Sequence, residues 1–163
     1  MRRTSVFVTM AFLAGLTVGF FARSAARHTF SQRDPHAADL AAIEKLRRVD
    51  VEATFTEDPS YVAKLWSDDA VNLVFPTPAV GIKAIGEAFQ KFWSQYPDFH
   101  VLKYAPNIKN VQIADGWAIE VIHSEATFKM SAKDDPVSVQ TDGIRVLKRQ
   151  SDGSWKFTLV GLK

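Results

Sequence analysis

Acid–base chemistry needs a titratable side chain held among apolar neighbours, and residues 117–128 supply two. The run alternates as a strand does, so its side chains fall into two rows. One row reads Trp117, Ile119, Val121, His123, Glu125 and Thr127; the other reads Ala118, Glu120, Ile122, Ser124, Ala126 and Phe128. The alternation does not say which row faces inward. Turned into an apolar hollow, Glu120 would have a raised pKa suited to general acid–base work. On a rim or a contact face it would instead pair with a Lys or Arg. His123 is either a base or a satisfied histidine on a sheet face. These two are the candidate catalytic residues. His100 follows Phe99 at a strand start, where solvent exposure is expected.

Ligand-binding candidates lie on other segments. Asn72, between Val71 and Leu73, offers an amide that orients a ligand but accepts no proton usefully. Tyr61, Trp66, Phe89, Trp93 and Tyr104 form a candidate aromatic wall, although Phe89 and Trp93 also sit at the spacing of an ordinary helical core. Trp66 and Tyr104 each carry a polar tip suited to a pocket mouth. Asp142 is a further ligand-binding candidate. Arg145, three positions on, points to the opposite face of the same strand. Asp68–Asp69 is either a proton-handling pair or a helix end held by backbone bonds. No nucleophile elbow, phosphate loop or nucleotide fingerprint is present, so no cofactor is expected. Zero Cys removes thiolate chemistry and disulfides, and His100 and His123 lack metal-ligand spacing, so no metal is expected either.

Those residues need elements to position them. Leu40, Ile43, Leu46, Val49 and Ala53 fall three or four apart and predict a helix over 36–55, with Asp34 as cap, Pro35 in its first turn, and Glu44, Lys45, Arg47, Arg48 and Glu52 mostly off the apolar face. Val62, Leu65 and Trp66 predict a short second helix closed by Asp68–Asp69. Residues 70–75 read as a strand. Ile82, Ile85, Phe89, Phe92 and Trp93 mark a third helix ending before Tyr96–Pro97. Beyond Asp98 the pattern turns β-rich: 99–104, 108–114, 117–130, 137–149 and 155–162. Asp115–Gly116 is a strong hairpin signal. Helices first and hairpins last indicate an α+β body of three helices and an antiparallel sheet of about five to six strands.

Ahead of this body lies a different kind of sequence. Residues 6–22 are uncharged, with Arg2 and Arg3 before them and Ser24, Ala25 and Ala26 after. That order fits a secretory signal cleaved after residue 26. The run is also almost long enough for an uncleaved hydrophobic helix anchoring residues 4–22 in a membrane. Residues 1–26 therefore read as signal or anchor, 27–37 as a polar linker, and 38–163 as the folded domain. Either reading places that domain outside the cytoplasm, exported or tethered. Residues 1–33 hold five Arg and no acid; residues 34–163 hold 15 basic against 18 acidic residues. The body is mildly acidic, which weighs against nucleic acid as a partner.

The order of elements resembles the SnoaL-like branch of the nuclear transport factor 2-like superfamily, among its domains of unknown function. The residues that carry the resemblance are DPSYVAKLWSDDAVNLV (58–74), GIKAI (81–85), YPDF (96–99), VQIADGWAIE (111–120) and IRVLKRQSDGSWKF (144–157). It spans nearly all of the body. It implies a cone: a strongly curved sheet wrapped on three helices, with a pocket between them and a homodimer formed through the sheet. The fold hosts isomerases, dehydratases, hydrolases, cyclases and non-catalytic modules. In its enzymes the region of Asn72 can supply a carboxylate, and many relatives end in a strand carrying an Asp. Here Val160 and Leu162 hold those last positions. Three functions follow. The first is an exported or tethered domain binding a small hydrophobic molecule. The second is a cofactor-independent enzyme using Glu120 or His123. The third is a dimerisation module whose cavity is vestigial, filled by Phe89 and Trp93.

Overall fold

A computed structural model describes residues 35–163. The hydrophobic run, Asp34 and most of the linker lie outside the described residues. Among the described residues no helix is long and apolar enough to cross a membrane.

Helix α1 (Ala37–Thr56) starts one residue later than the periodicity predicts, because Pro35 and His36 form a turn and the His36 carbonyl accepts the first helical bond, from Leu40 N–H at 2.8 Å. Ile43 and Leu46 are buried, and Val49 and Ala53 pack on the core. The helix ends at Glu57, whose φ of 55° lets its N–H reach the Ala53 carbonyl. Helix α2 (Tyr61–Leu65) is one turn. Trp66 does not continue it. Strand β1 (Trp66–Asn72) begins there, pairing Trp66 with Phe157. Asp68 and Asp69 thus lie in a strand and close no helix, and the β1–β6 register shifts between Trp66 and Val71. The Asp69 carboxylate accepts a bond from Ser67 Oγ at 3.0 Å. A two-residue strand β2 (Ala79–Val80) pairs with the end of β1 and leads into α3 (Ile82–Gln95).

The other strands are β3 (His100–Ala114), β4 (Trp117–Lys129), β5 (Val137–Arg149) and β6 (Trp155–Leu162). The two β-rich runs on either side of Pro106 form one strand. Pro106 is tolerated because β3 is the sheet's edge in the order β2-β1-β6-β5-β4-β3. Register shifts after Val101 and Ile108 mark β-bulges, which bend a sheet. Asp115 and Gly116, with φ of 50° and 77°, make the hairpin that the Asp-Gly pair predicts. The six-stranded sheet is curved and mixed, with β1 and β6 parallel, where a wholly antiparallel one was expected. The reason is topological: β1 joins the last strand, across the whole chain, and no hairpin sets its direction. Gly143 permits the close β5–β6 approach, since a Cβ there would lie 2.2 Å from the Gly161 carbonyl oxygen.

Candidate functional site

The even-numbered row of β4 faces inward: Ala118, Glu120, Ile122 and Ser124 are all buried. Between this face and the helices lies a cavity of about 330 Å³. Its walls are mostly apolar and aromatic. Tyr61, Trp66, Phe89, Trp93 and Tyr104, the predicted aromatic wall, all border it, as do Asn72, Val160 and Leu162. Phe89 and Trp93 stack on each other at 5.4 Å between ring centroids and leave the hollow open. Phe99 and Phe128, 5.5 Å apart, line the end where β3 begins and β4 finishes.

The opposite end is polar. Glu120 is completely buried, and each of its oxygens faces a guanidinium. Arg145 donates to Oε2 from Nε at 2.8 Å and Nη2 at 2.6 Å; Arg47 donates to Oε1 from Nε at 2.7 Å. Arg145 Nη1 also donates to Asp50 Oδ2 at 2.9 Å, and the Tyr104 hydroxyl donates to the same oxygen at 3.1 Å. Glu120 itself does not line the cavity. Asp50 and Tyr104 do, so they are the groups through which this network borders the cavity.

Burial raises the Asp50 pKa, although Arg145 and the bond from Tyr104 pull it down. Burial, and then the charge of Asp50, push the Tyr104 phenol well up, so it is a neutral donor at any ordinary pH. Burial works against the Arg145 charge, but Asp50 and Glu120 outweigh it and hold the guanidinium protonated. The arrangement is a carboxyl group of elevated pKa at an apolar cavity wall, flanked by a phenol and backed by a fixed cation. It can donate a hydrogen bond, accept one, or move a proton.

The sequence candidates divide across the sheet. Trp66, Asn72, Trp93 and Tyr104 come together at the cavity. His123 and Asp142 do not. They lie in the outward row, bonded to each other at 2.8 Å, with the Asp142 side chain 82% exposed. Glu120 is inward, but both oxygens are occupied by arginine. No free oxygen is left for proton transfer, so its placement is that of a buried ion pair. Asn72 is spent locally: its amide donates to the Phe75 carbonyl at 3.0 Å and its oxygen accepts the Val74 N–H at 3.2 Å. Arg47, expected off the core face of α1, turns in to Glu120 with its side chain only 18% exposed.

Sequence reasoning missed Asp50. A signal was there: Ile43, Arg47, Asp50, Thr54 and Glu57 run at spacings of four, three, four and three, a second helical row beside the apolar stripe. Three of them, Asp50, Thr54 and Glu57, line the cavity.

No family model and no curated protein matches the chain in sequence. Solved structures do match. A ketosteroid isomerase-like protein of Erwinia carotovora atroseptica shares 23% identity over 76% of this chain and 94% of its own, with a TM-score of 0.63. A Catenulispora acidiphila protein, solved in complex with S-DNPA, shares 17% identity over 77% and 92%, TM-score 0.64. A nuclear transport factor 2-like protein of Cytophaga hutchinsonii shares 14% over 76% and 96%, TM-score 0.59. The body therefore has the nuclear transport factor 2-like cone fold. At these identities the likeness is one of fold, and it agrees with the cone that the sequence resemblance implies.

Proposed function

We propose that this protein binds a small, largely hydrophobic molecule inside the cone. The observation that carries the reading is the open cavity of about 330 Å³, walled by rings and aliphatic side chains, with Asp50 and Tyr104 as its convergent polar pair. A pocket of this make-up holds an apolar body by burial and orients it through one or two hydrogen bonds. A neighbour of the same fold was solved in complex with S-DNPA, which supports the reading. Residues 1–26 support export of the domain, or its tethering by residues 4–22 to a membrane. The outward face of β4 and β5 supports a homodimer: Trp117, Ile119, Val121 and Ile144 are each more than two-fifths exposed there.

Trp66 and Trp93 line the cavity, so their fluorescence reports occupancy. Titration of the full chain with 1-naphthalenemethanol is expected to quench it saturably. Ala126→Phe, which fills the cavity from the inward row, is expected to abolish the response while circular dichroism stays unchanged. Quenching that never saturates, or that survives in the filled variant, would overturn the proposal.

A second reading, catalysis, is favoured by Asp50, which takes the acid–base role first assigned to Glu120 or His123. A raised pKa at an apolar wall suits a group that accepts a proton from carbon next to a carbonyl, and Tyr104 and Arg145, both bonded to Oδ2, leave Asp50 Oδ1 for that proton. Deuterium exchange at the α-carbon of 2-tetralone tests it. The protein should accelerate exchange, and Asp50→Asn should slow it about 10²-fold. Equal exchange with and without protein removes catalysis and leaves binding intact.

A further inference from the structure

We propose that the molecule this cavity takes is a hydrophobic cation, an aryl or alkyl amine protonated at neutral pH. The inference rests on the ligand-binding reading above and names its ligand class.

Three charged residues line the cavity, Asp50, Glu57 and Asp58, and all are acids. No Lys, Arg or His is among the described lining residues. Asp50 is already balanced by Arg145 at 2.9 Å, so the polar end carries little net charge. The other two acids stand where α1 gives way to α2. Asp58 accepts bonds from the Ser60 N–H and Oγ, both at 2.8 Å, and these hold its pKa below the ordinary value. It is ionised at neutral pH. Glu57 Oε1 is buried and has no hydrogen-bond partner; the His100 ring nitrogen Nδ1 lies 3.8 Å away, beyond hydrogen-bond distance. The Lys64 ammonium lies over the Tyr61 ring, 4.1 Å from its centroid, and also acts on the Asp58 carboxylate, so Glu57 is the acid left for a ligand.

The rest of the wall suits a cation with an apolar body. Phe75, Phe89, Trp93 and Phe99 border the cavity, and aromatic faces attract ammonium groups, more strongly where water is excluded. Glu57, its side chain 28% exposed, and the exposed Asp58 give that end of the hollow a negative bias, which favours cations over anions. An independent observation comes from the sheet. Ser124 is 4% exposed, borders the cavity, and its Oγ has no hydrogen-bond partner. A pure hydrocarbon would leave that hydroxyl unpaired at a cost; an ammonium or hydroxyl head satisfies it.

Three probes share one ring system and differ in charge: 1-naphthylmethylamine, 1-naphthalenemethanol and 1-naphthoic acid. Calorimetric titration of the full chain at neutral pH is expected to show the amine binding about tenfold more tightly than the alcohol, with the acid weakest. Added salt should weaken the amine alone. Glu57→Gln, at a partly exposed helix end, should bring amine affinity down toward that of the alcohol and leave the alcohol unchanged. An alcohol that binds as well as the amine, or an amine indifferent to Glu57→Gln, overturns the cation inference while leaving the cavity reading in place. If none of the three binds, the cavity reading fails and this inference falls with it.

Discussion

Two cross-strand pairs join β4 to β5 three residues apart, and they are chemically alike. Glu120 sits opposite Arg145, and His123 opposite Asp142. The first pair faces the interior, where both side chains are buried and Arg47 and Asp50 extend it into a network. The second faces solvent. The comparison teaches that a charge pair's meaning is set by the row it occupies, because the dielectric around it decides both what it is worth and what it costs to break. It also shows that apolarity alone does not identify the inward row. The outward row holds Trp117, Ile119 and Val121, all exposed, while the inward row carries a carboxylate and a serine.

The sharpest way to break this comparison is to truncate the β4 member of each pair. Glu120→Ala leaves the buried Arg145 with Asp50 as its remaining carboxylate and Arg47 with Glu44, and is expected to cost about 3 kcal/mol in urea unfolding. A loss as small as that of a surface pair would show that the inner network is solvated. The next largest effect concerns the outer face. Val121→Asp puts a charge into the exposed apolar stripe and should shift analytical ultracentrifugation from dimer to monomer; a wild-type protein already monomeric at working concentration would contradict the dimer.

A third prediction turns on pH. Asp50 has its pKa raised above the ordinary 3.8 in the folded state. Its stabilising contribution is therefore complete below pH 3.8 and is lost as pH climbs through the raised value. Asp50→Asn should flatten the fall of stability over that window and leave the protein at least as stable at neutral pH. A variant with the same slope would place the titration elsewhere. The smallest effect belongs to the outer pair: His123→Ala should change unfolding stability by no more than about 1 kcal/mol.

Much of the architecture was legible in the sequence because periodicity reports burial directly. The stripes of α1 and α3, the Asp-Gly hairpin and the Trp155 strand each carry a local signal. What was not legible depended on distant partners. Trp66 reads as helical until Phe157, some ninety residues on, pairs with it as a strand. Pro106 looks like a break until β3 proves to be an edge. The aromatic wall of the site was readable, since large rings at core spacing border whatever hollow the core leaves. Asp50 was not, because it lies beside the apolar stripe of α1 and acquires its role only from Tyr104 and Arg145, contributed by β3 and β5. Glu120 was singled out for sitting among apolar neighbours. The same burial that made it conspicuous required two arginines, which occupy both its oxygens.

The central claim is that the sheet holds the helices far enough away to leave an open, apolar hollow. A crystal of the full chain exposed to xenon under pressure tests it most directly, since dry apolar cavities take up xenon. Xenon density among Phe89, Trp93, Phe128 and Val160 is the result expected. Side chains packed together there, with no gas bound, would contradict the account.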